Sequence, residues 1–237
     1  MLQPKRSSQE MFKALMRLTR IADKLGIQYC FVGSTLPFIE TKVRRLTDID
    51  LVVESPEAAA RLFNSANFRD PDFEFNLSKT PALARAGQYF ARAQGIRFDI
   101  YTKDLGGMPV SLILQNKSVH TQSRFRIPLV SRDLYFVLKT LIQPFAEIAL
   151  TGRLKKGTGR GNSGKKDLFD LTLMHRRVDL AKVRELASHL SPEIRARIDA
   201  NIAFIQKPSK QGQKIIWRAK ERLHRAPRQG MGRHAIK

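Results

Sequence analysis

Three aspartates in two short apolar segments are the residues of this sequence best suited to chemistry. Asp48 and Asp50 flank Ile49, and Asp99 lies between two further apolar residues. Successive side chains of a strand point to opposite faces, so the aspartates would share one face while their neighbours enter the core. Three carboxylates this close repel one another, and hard divalent cations with oxygen ligands compensate for that repulsion. We therefore predict a site for Mg²⁺ or Mn²⁺, with two ions supporting in-line attack on the α-phosphate of a nucleoside triphosphate.

A glycine-serine turn precedes the first aspartate pair. Gly33 and Ser34 end a short apolar segment and stand at the start of a predicted helix. Glycine permits close approach of a ligand to the backbone, and amides at a helix N-terminus bind phosphate. We predict that both residues contact the triphosphate. Either motif alone is weak, because Asp-x-Asp is common at strand edges and Gly-Ser is often only a turn, so the interpretation depends on their occurring together in this order.

Helices and strands alternate in the first half of the chain and would position these residues. Apolar spacing predicts helices over 9–25, 35–43 and 55–64, and strands over 29–32, 49–53 and 96–101. Residues 70–94 remain ambiguous. Gly106, Gly107 and Pro109 predict that 103–115 is a turn rather than a core element.

From Ser131 onward the pattern is helical. Helices are predicted over 133–143, 166–174, 180–190 and 194–205, the last behind a Ser191-Pro192 cap. The predicted fold class is α/β, a mixed sheet flanked by helices and followed by a helical region and a basic tail. The predicted divisions are a catalytic domain over 1–125, a helical domain closing the nucleotide cleft over 126–206, and the tail over 207–237.

The charge of the chain indicates a polyanionic partner. There are 43 Lys and Arg against 21 Asp and Glu, for a net charge of +22. Residues 207–237 contain ten of these basic residues and one acid, Glu221. Such a tail is typical of an arm that binds a nucleic-acid backbone, although it is also compatible with a merely solvated segment.

Other compositional features predict a cytoplasmic protein with no membrane segment. A lone cysteine, Cys30, cannot form an internal disulfide, and the first ten residues are polar. No apolar run approaches the roughly 18 residues that a membrane-spanning helix needs. The five histidines show no zinc-like spacing.

The order Gly33-Ser34, Asp48-Ile49-Asp50 and a later Asp99 resembles the signature of the DNA polymerase β-type nucleotidyltransferase superfamily. The resemblance implies the α+β nucleotidyltransferase fold, with the three aspartates as catalytic residues and metal ligands and Gly33 and Ser34 as phosphate contacts.

A looser resemblance covers the second half. Residues 127–131, Lys139 and 166–171 resemble the AbiEii abortive-infection toxin branch of the same superfamily. It implies that Lys139 contacts phosphate and that Lys166, Asp167 and Asp170 position the nucleotide or the acceptor. The alternative is that Lys139 is a solvated lysine and that Asp167 only favours a helix N-terminus.

One motif is a decoy. Gly159, Gly164 and Lys165 nearly match the P-loop pattern, but Lys166 replaces the required Ser or Thr, and no strand is predicted before it. We predict instead that residues 151–166, with five glycines, six basic residues and no acid, form a basic loop that orders on RNA or triphosphate.

Three functions follow as hypotheses. The leading one is a nucleotidyltransferase that adds NMP from an NTP to an RNA 3′ end, with tRNA as the expected acceptor, a toxin role and an antitoxin-like protein partner. The second keeps the chemistry but transfers the nucleotide to a protein or small molecule. The third is a non-catalytic nucleic-acid-binding protein with this fold, which the retention of three repelling acids argues against.

Overall fold

The computed structural model describes residues 7–41, 46–65, 74–77, 84–85, 87–122, 125–142, 170–171, 174, 177–207, 210, 213–214, 217 and 221. Over these residues the helices are α1 (Ser8–Leu25), α2 (Thr35–Thr41), α3 (Pro56–Ser65), α4 (Val110–Gln115), α5 (Arg132–Ile142), α6 (Leu180–Ala187) and α7 (Pro192–Gln206). The strands are β1 (Tyr29–Phe31), β2 (Asp48–Val53), β3 (Glu74–Leu77), β4 (Gln88–Ala93), β5 (Ile96–Tyr101), β6 (Asp104–Leu105), β7 (Met108–Pro109), β8 (Lys117–Gln122) and β9 (Phe125–Val130).

Helix α1 shows why the predicted elements form where they do. Ser7 and Glu10 form a capping box at its start, which provides acceptors for two backbone amides that have no hydrogen-bond partner within the helix. Gly26 ends it with φ 64°, a left-handed conformation that glycine adopts without steric cost. The buried residues recur at helical spacing and include Met11, Leu15 and Leu18. The helix predicted over 9–25 is confirmed.

Among the described residues, seven strands form one mixed sheet in the order β3-β4-β5-β2-β1-β9-β8. β2 pairs with β5 in parallel and β1 pairs with β9 in parallel, whereas the other neighbours are antiparallel. Ile49 and Leu51 of β2 are fully buried, as is Phe98 of β5. Phe63 of α3 packs edge-on against Phe98 at 5.3 Å, which places α3 on the apolar face of the sheet. The opposite face carries the alternate residues of β2 and β5.

The sequence prediction was wrong for residues 103–115. β6 and β7 form a small hairpin there, and α4 follows it with Val110, Ile113 and Leu114 buried. Gly106 and Gly107 do turn the chain, with φ 64° and 88°, but the turn occupies only the tip of the hairpin. The ambiguous stretch before residue 94 contains β3 and β4, and β8 and β9 were not predicted.

The helical half is confirmed over the described residues by α5, α6 and α7. Asp170, Leu171 and Met174 are helical, while the rest of the predicted 166–174 helix and the basic loop 151–166 lie outside the described residues. The division at residue 125 stays a prediction, and the strand that begins there, β9, belongs to the same sheet as β1. No described helix combines the length and apolar character needed to span a bilayer.

Candidate functional site

The three aspartates lie on neighbouring strands and on one face of the sheet. In the parallel pairing of β2 and β5, Asp50 stands directly opposite Asp99, and Asp48 stands opposite Arg97. Asp48 and Asp50 are partly exposed while Ile49 between them is buried, as strand alternation requires. Asp99 is only 5% exposed. The structure therefore brings the predicted aspartates together, although their role as ligands or catalytic groups stays a prediction.

The Gly33-Ser34 turn joins the same site from β1. The backbone amide of Val32 donates to the carbonyl of Asp50 at 3.0 Å, which ties the end of β1 to β2. Gly33 has φ 59°, and a Cβ there would overlap Asp50 Oδ2 and lie 2.8 Å from its Cγ. Only glycine lets the chain pass this close to the carboxylate. Ser34 is buried, and its carbonyl accepts the amide of Phe38 at 3.1 Å in the first turn of α2.

Arg97 is a member of the site that the sequence prediction missed. Its Nε and Nη2 both donate to Oδ1 of Asp99, at 3.0 and 2.9 Å. The guanidinium also lies 4.9 Å from the ring centroid of Phe90 on β4. Arg97 is two residues before Asp99, so strand alternation alone places both on one face. That signal was present in the sequence but was hidden by the abundance of arginine.

The positive charges near the three carboxylates do not fully offset their mutual repulsion and their burial. The pKa of Asp50 is raised to about 7, mainly by burial and then by the charges of Asp48 and Asp99, while the charges of Lys139 and Arg97 oppose this rise. Burial also raises the pKa of Asp99, although Arg97 opposes that shift. Placing several like charges in a poorly hydrated space favours protonation of one of them or the binding of a cation.

Lys139 approaches the site from the helical half. It lies on α5 with its Nζ 3.4 Å from Oδ2 of Asp170, and both side chains are almost fully buried. Its charge lowers the pKa of Asp50, so it lies within electrostatic reach of the carboxylates. Lys139 is therefore not the solvated lysine of the alternative interpretation. Lys166 and Asp167 lie outside the described residues.

The donor set has the chemistry of a magnesium site but is not a complete cage. Asp48, Asp50 and Asp99 offer the hard oxygen atoms that Mg²⁺ and Mn²⁺ prefer. Within the described residues, no three acidic, histidine or cysteine side chains are gathered closely enough to hold an ion by themselves. Mg²⁺ is commonly held by one or two carboxylates together with substrate phosphates and water. The residues therefore fit an ion whose coordination is completed by a bound triphosphate.

Comparison with known proteins bears on the fold. No protein-family model and no curated protein matches the sequence. Among solved structures, an antigenic nucleotidyltransferase-like protein from Paracoccidioides brasiliensis is 17% identical, with 89% of this chain and 94% of that chain covered and a TM-score of 0.50.

Two other solved structures are more distant. The antibiotic-resistance factor ANT(2'')-Ia is 9% identical, with 83% of this chain and 93% of that chain covered and a TM-score of 0.44. A CCA-adding enzyme from Thermotoga maritima, solved with tRNA, is 14% identical, with 86% and 54% covered and a TM-score of 0.38. The AbiEii branch stays a prediction. The likeness to the Paracoccidioides protein, together with the mixed sheet flanked by helices, shows that this chain has a nucleotidyltransferase fold, as its sequence predicts.

Proposed function

We propose that this protein transfers a nucleoside monophosphate from a nucleoside triphosphate to the 3′ hydroxyl of an RNA and releases pyrophosphate. The observation that carries the proposal is the pairing of Asp50 with Asp99 across β2 and β5, with Asp48 on the same face. A nucleotidyltransferase fold with these carboxylates on one face of its sheet supports this chemistry better than a binding role, because a site without a cation has no use for three repelling acids.

The reaction balances with the groups of this site. The 3′ oxygen of the acceptor attacks the α-phosphorus, a new O–P bond forms, and the bond between the α-phosphorus and its bridging oxygen to the β-phosphate breaks. Asp99 is the proposed acceptor of the hydroxyl proton, since burial raises the pKa of its carboxyl above the usual range. Arg97, which holds Asp99 through one oxygen, leaves the other oxygen available for that role.

Asp48 and Asp50 are the proposed ligands of Mg²⁺ or Mn²⁺, with Asp99 completing a second site. When bound, two such ions stabilise the charge that develops on the attacking and leaving oxygens. Gly33 and Ser34 are proposed to receive the triphosphate, where the close approach of Gly33 to Asp50 sets phosphate beside the carboxylates. Lys139 adds positive charge from α5. Lys166 and Asp167 stay predicted contacts.

The RNA acceptor is supported by charge. A net charge of +22 favours a polyanion over a small neutral acceptor. tRNA as the particular RNA, a toxin role, an antitoxin-like partner and a cytoplasmic location stay predictions from the sequence.

The test is transfer of label from each α-labelled NTP to total RNA with Mg²⁺, comparing wild type with Asp48→Asn/Asp50→Asn. We expect labelled RNA with wild type and at least a thousandfold less with the double variant. The matched control is Asp199→Asn on α7, which removes an exposed acid that pairs with Arg184 of α6 and should leave transfer unchanged.

Two other outcomes would redirect the proposal. If wild type binds NTP with Mg²⁺ but labels no RNA, the acceptor is a protein or small molecule. If it binds RNA but no NTP, the protein is a non-catalytic nucleic-acid-binding protein, and the transferase proposal fails.

A further inference from the structure

A second group of side chains continues the face of the sheet that carries the aspartates. The registers of β4, β5 and β2 place residues side by side across three adjacent strands, in two parallel rows. The first row is Phe90, Asp99 and Asp50, and the second is Arg92, Arg97 and Asp48. Adjacent strands are about 4.8 Å apart, so the members of a row are immediate neighbours. We call Phe90, Arg92 and Arg97 the β4–β5 patch.

Phe90 differs from the other aromatic residues of this part of the sheet. Tyr89 on the same strand and Phe75 on β3 stack on each other at 5.2 Å and pack against the apolar core. Phe90 points to the opposite face, is partly exposed, and is not among the aromatic residues that pack on the described core. Packing in the described core therefore does not explain why residue 90 is aromatic.

Two arginines flank this ring. Arg92 is exposed, and the side chain of Arg97 is 52% exposed even though it contacts Asp99. A cavity of about 290 Å³ opens between them and is lined by Phe90, Ala91, Arg92 and Arg97. The guanidinium of Arg97 lies over the Phe90 ring, 4.9 Å from its centroid. The cavity thus presents this pair and the guanidinium of Arg92, and none of its described lining residues is acidic.

This combination has the chemistry that binds single-stranded nucleic acid. Bases stack on aromatic rings and on guanidinium planes regardless of sequence, and arginines pair with phosphate through two parallel hydrogen bonds. A duplex would not offer an unstacked base to the ring. We infer that the β4–β5 patch holds the last nucleotides of a single-stranded RNA 3′ end, with one base stacked on the pair formed by Phe90 and Arg97 and the adjoining phosphate on Arg92.

The position of the patch agrees with this role and rests on the proposed function. Gly33 follows β1, on one side of β2, whereas Phe90 lies on β4, beyond β5 on the other side. The triphosphate and the patch therefore approach the carboxylates from opposite sides. In-line displacement requires that arrangement, because the attacking and leaving oxygens lie on opposite sides of the α-phosphorus.

The test measures RNA binding directly, without metal or NTP. Fluorescence anisotropy with a labelled 12-nucleotide single-stranded RNA would compare wild type with Phe90→Leu/Arg92→Gln. We expect binding to weaken by roughly tenfold or more, the effect of losing one stacked base. Arg97 is left unchanged because it contacts Asp99. Phe90→Trp should retain wild-type binding, which a general folding defect at this position would not permit.

The chain offers a matched control for each substitution. Phe125 on β9 also lies under an arginine, with Arg20 at 5.7 Å from its ring, and Arg61 is an exposed arginine on α3. Phe125→Leu/Arg61→Gln removes the same two side-chain types elsewhere and should change RNA affinity less than twofold. A blunt duplex RNA of the same length should bind wild type and the patch variant equally.

The outcomes separate this inference from the proposed function. If Phe90→Leu/Arg92→Gln binds RNA with wild-type affinity and has the wild-type KM for RNA, the inference is overturned. The proposed transferase function would still stand if the wild-type protein labels RNA. Equal losses on single-stranded and duplex RNA would also overturn it, because lost charge alone would explain them. A selective loss on single-stranded RNA by a protein that labels no RNA would support the patch and contradict RNA as the acceptor.

Discussion

Asp50 is the most crowded side chain of the candidate site. It faces Asp99 across the parallel strands, lies two residues from Asp48, and has the backbone of Gly33 against its carboxylate. In the metal-free protein this crowding lowers the stability of the folded state, by an amount that depends on whether Asp50 is ionised.

The pH dependence of stability should reveal this cost in metal-free protein. The folded-state pKa of Asp50 is raised from 3.8 to about 7. The folded state therefore keeps a proton that the unfolded state releases, so the free energy of unfolding falls as pH rises between these values. Asp50→Asn removes the effect, so in EDTA at pH 8 this variant should be more stable than wild type by on the order of 2–4 kcal/mol.

Urea unfolding from pH 4 to pH 8 checks this prediction. The advantage of Asp50→Asn should shrink to about 0.5 kcal/mol near pH 4, where the wild-type carboxyl is protonated in the folded state and only about half ionised in the unfolded state. Asp199→Asn, which affects an acid that is 57% exposed, should stay within about 0.5 kcal/mol of wild type throughout. A constant difference between Asp50→Asn and wild type would contradict the assigned pKa shift.

Gly33 gives a second prediction at this scale, with Gly26 as its matched control. Both have positive φ, but a Cβ at Gly26 would meet nothing within 4 Å, whereas one at Gly33 would overlap Asp50. Gly26→Ala should therefore lower the free energy of unfolding by about 1 kcal/mol through backbone strain alone. Gly33→Ala should lower it by about 2–3 kcal/mol and also abolish NTP binding measured by calorimetry. Equal effects of both variants on stability and binding would contradict the proposed role of Gly33.

At the scale of elements, the sequence predicted the parts that surround the aspartates and missed those farther from them. β2 and β5 alternate apolar and polar residues, so both their type and their aspartates were readable. β3 and β4 were ambiguous because their type depends on pairing with distant residues, which local pattern does not encode. Arg97 was missed for a different reason: alternation along the predicted strand placed it on the face of Asp99, but the many arginines of the chain hid that signal.

The buried pair of Lys139 and Asp170 joins α5 to residue 170 within the helical half. Lys139 and Asp170 have 10% and 0% exposed side chains. Lys139→Met should lower the free energy of unfolding by about 3 kcal/mol, because Asp170 stays buried after its cationic neighbour is removed. Thermal or urea unfolding measures the loss, and Lys139→Met/Asp170→Leu should recover much of it.

The exposed pair Arg184–Asp199 is the matched comparison. Its side chains are 58% and 57% exposed, so Arg184→Met should change stability by no more than about 1 kcal/mol. A loss from Lys139→Met as small as this would mean that the buried pair does not fasten α5 to residue 170.

At the scale of the whole molecule, the order of strands determines which residues meet. Phe90, Asp99 and Asp50 are neighbours only because β5 lies between β4 and β2. No periodicity within one strand specifies that order, so the sequence predicted the aspartate site but not the β4–β5 patch. The charge of +22 was readable at once, but composition does not say which basic residues contact a ligand.

Substitutions in the basic tail test whether its lysines contact RNA. Lys207, Lys210 and Lys214 are exposed, and if they contact an RNA backbone they release counterions on binding. Changing all three to Gln should reduce the slope of log affinity against log salt concentration by about 2, at roughly 0.7 per phosphate contact on single strands.

The control for this prediction removes three equally exposed charges elsewhere, at Lys13 and Lys24 of α1 and Arg61 of α3. Anisotropy titrations with single-stranded RNA give the slope for each variant. Salt concentrations from about 50 to about 300 mM cover the range in which screening of charges changes most. An unchanged slope for the tail variant would mean that Lys207, Lys210 and Lys214 do not contact the RNA backbone and that RNA contacts lie elsewhere. Direct contacts release counterions at particular lysines, so they would lower the slope only in the tail variant. If the slope falls equally in the tail and control variants, RNA is attracted by the positive field of the whole protein rather than by the tail.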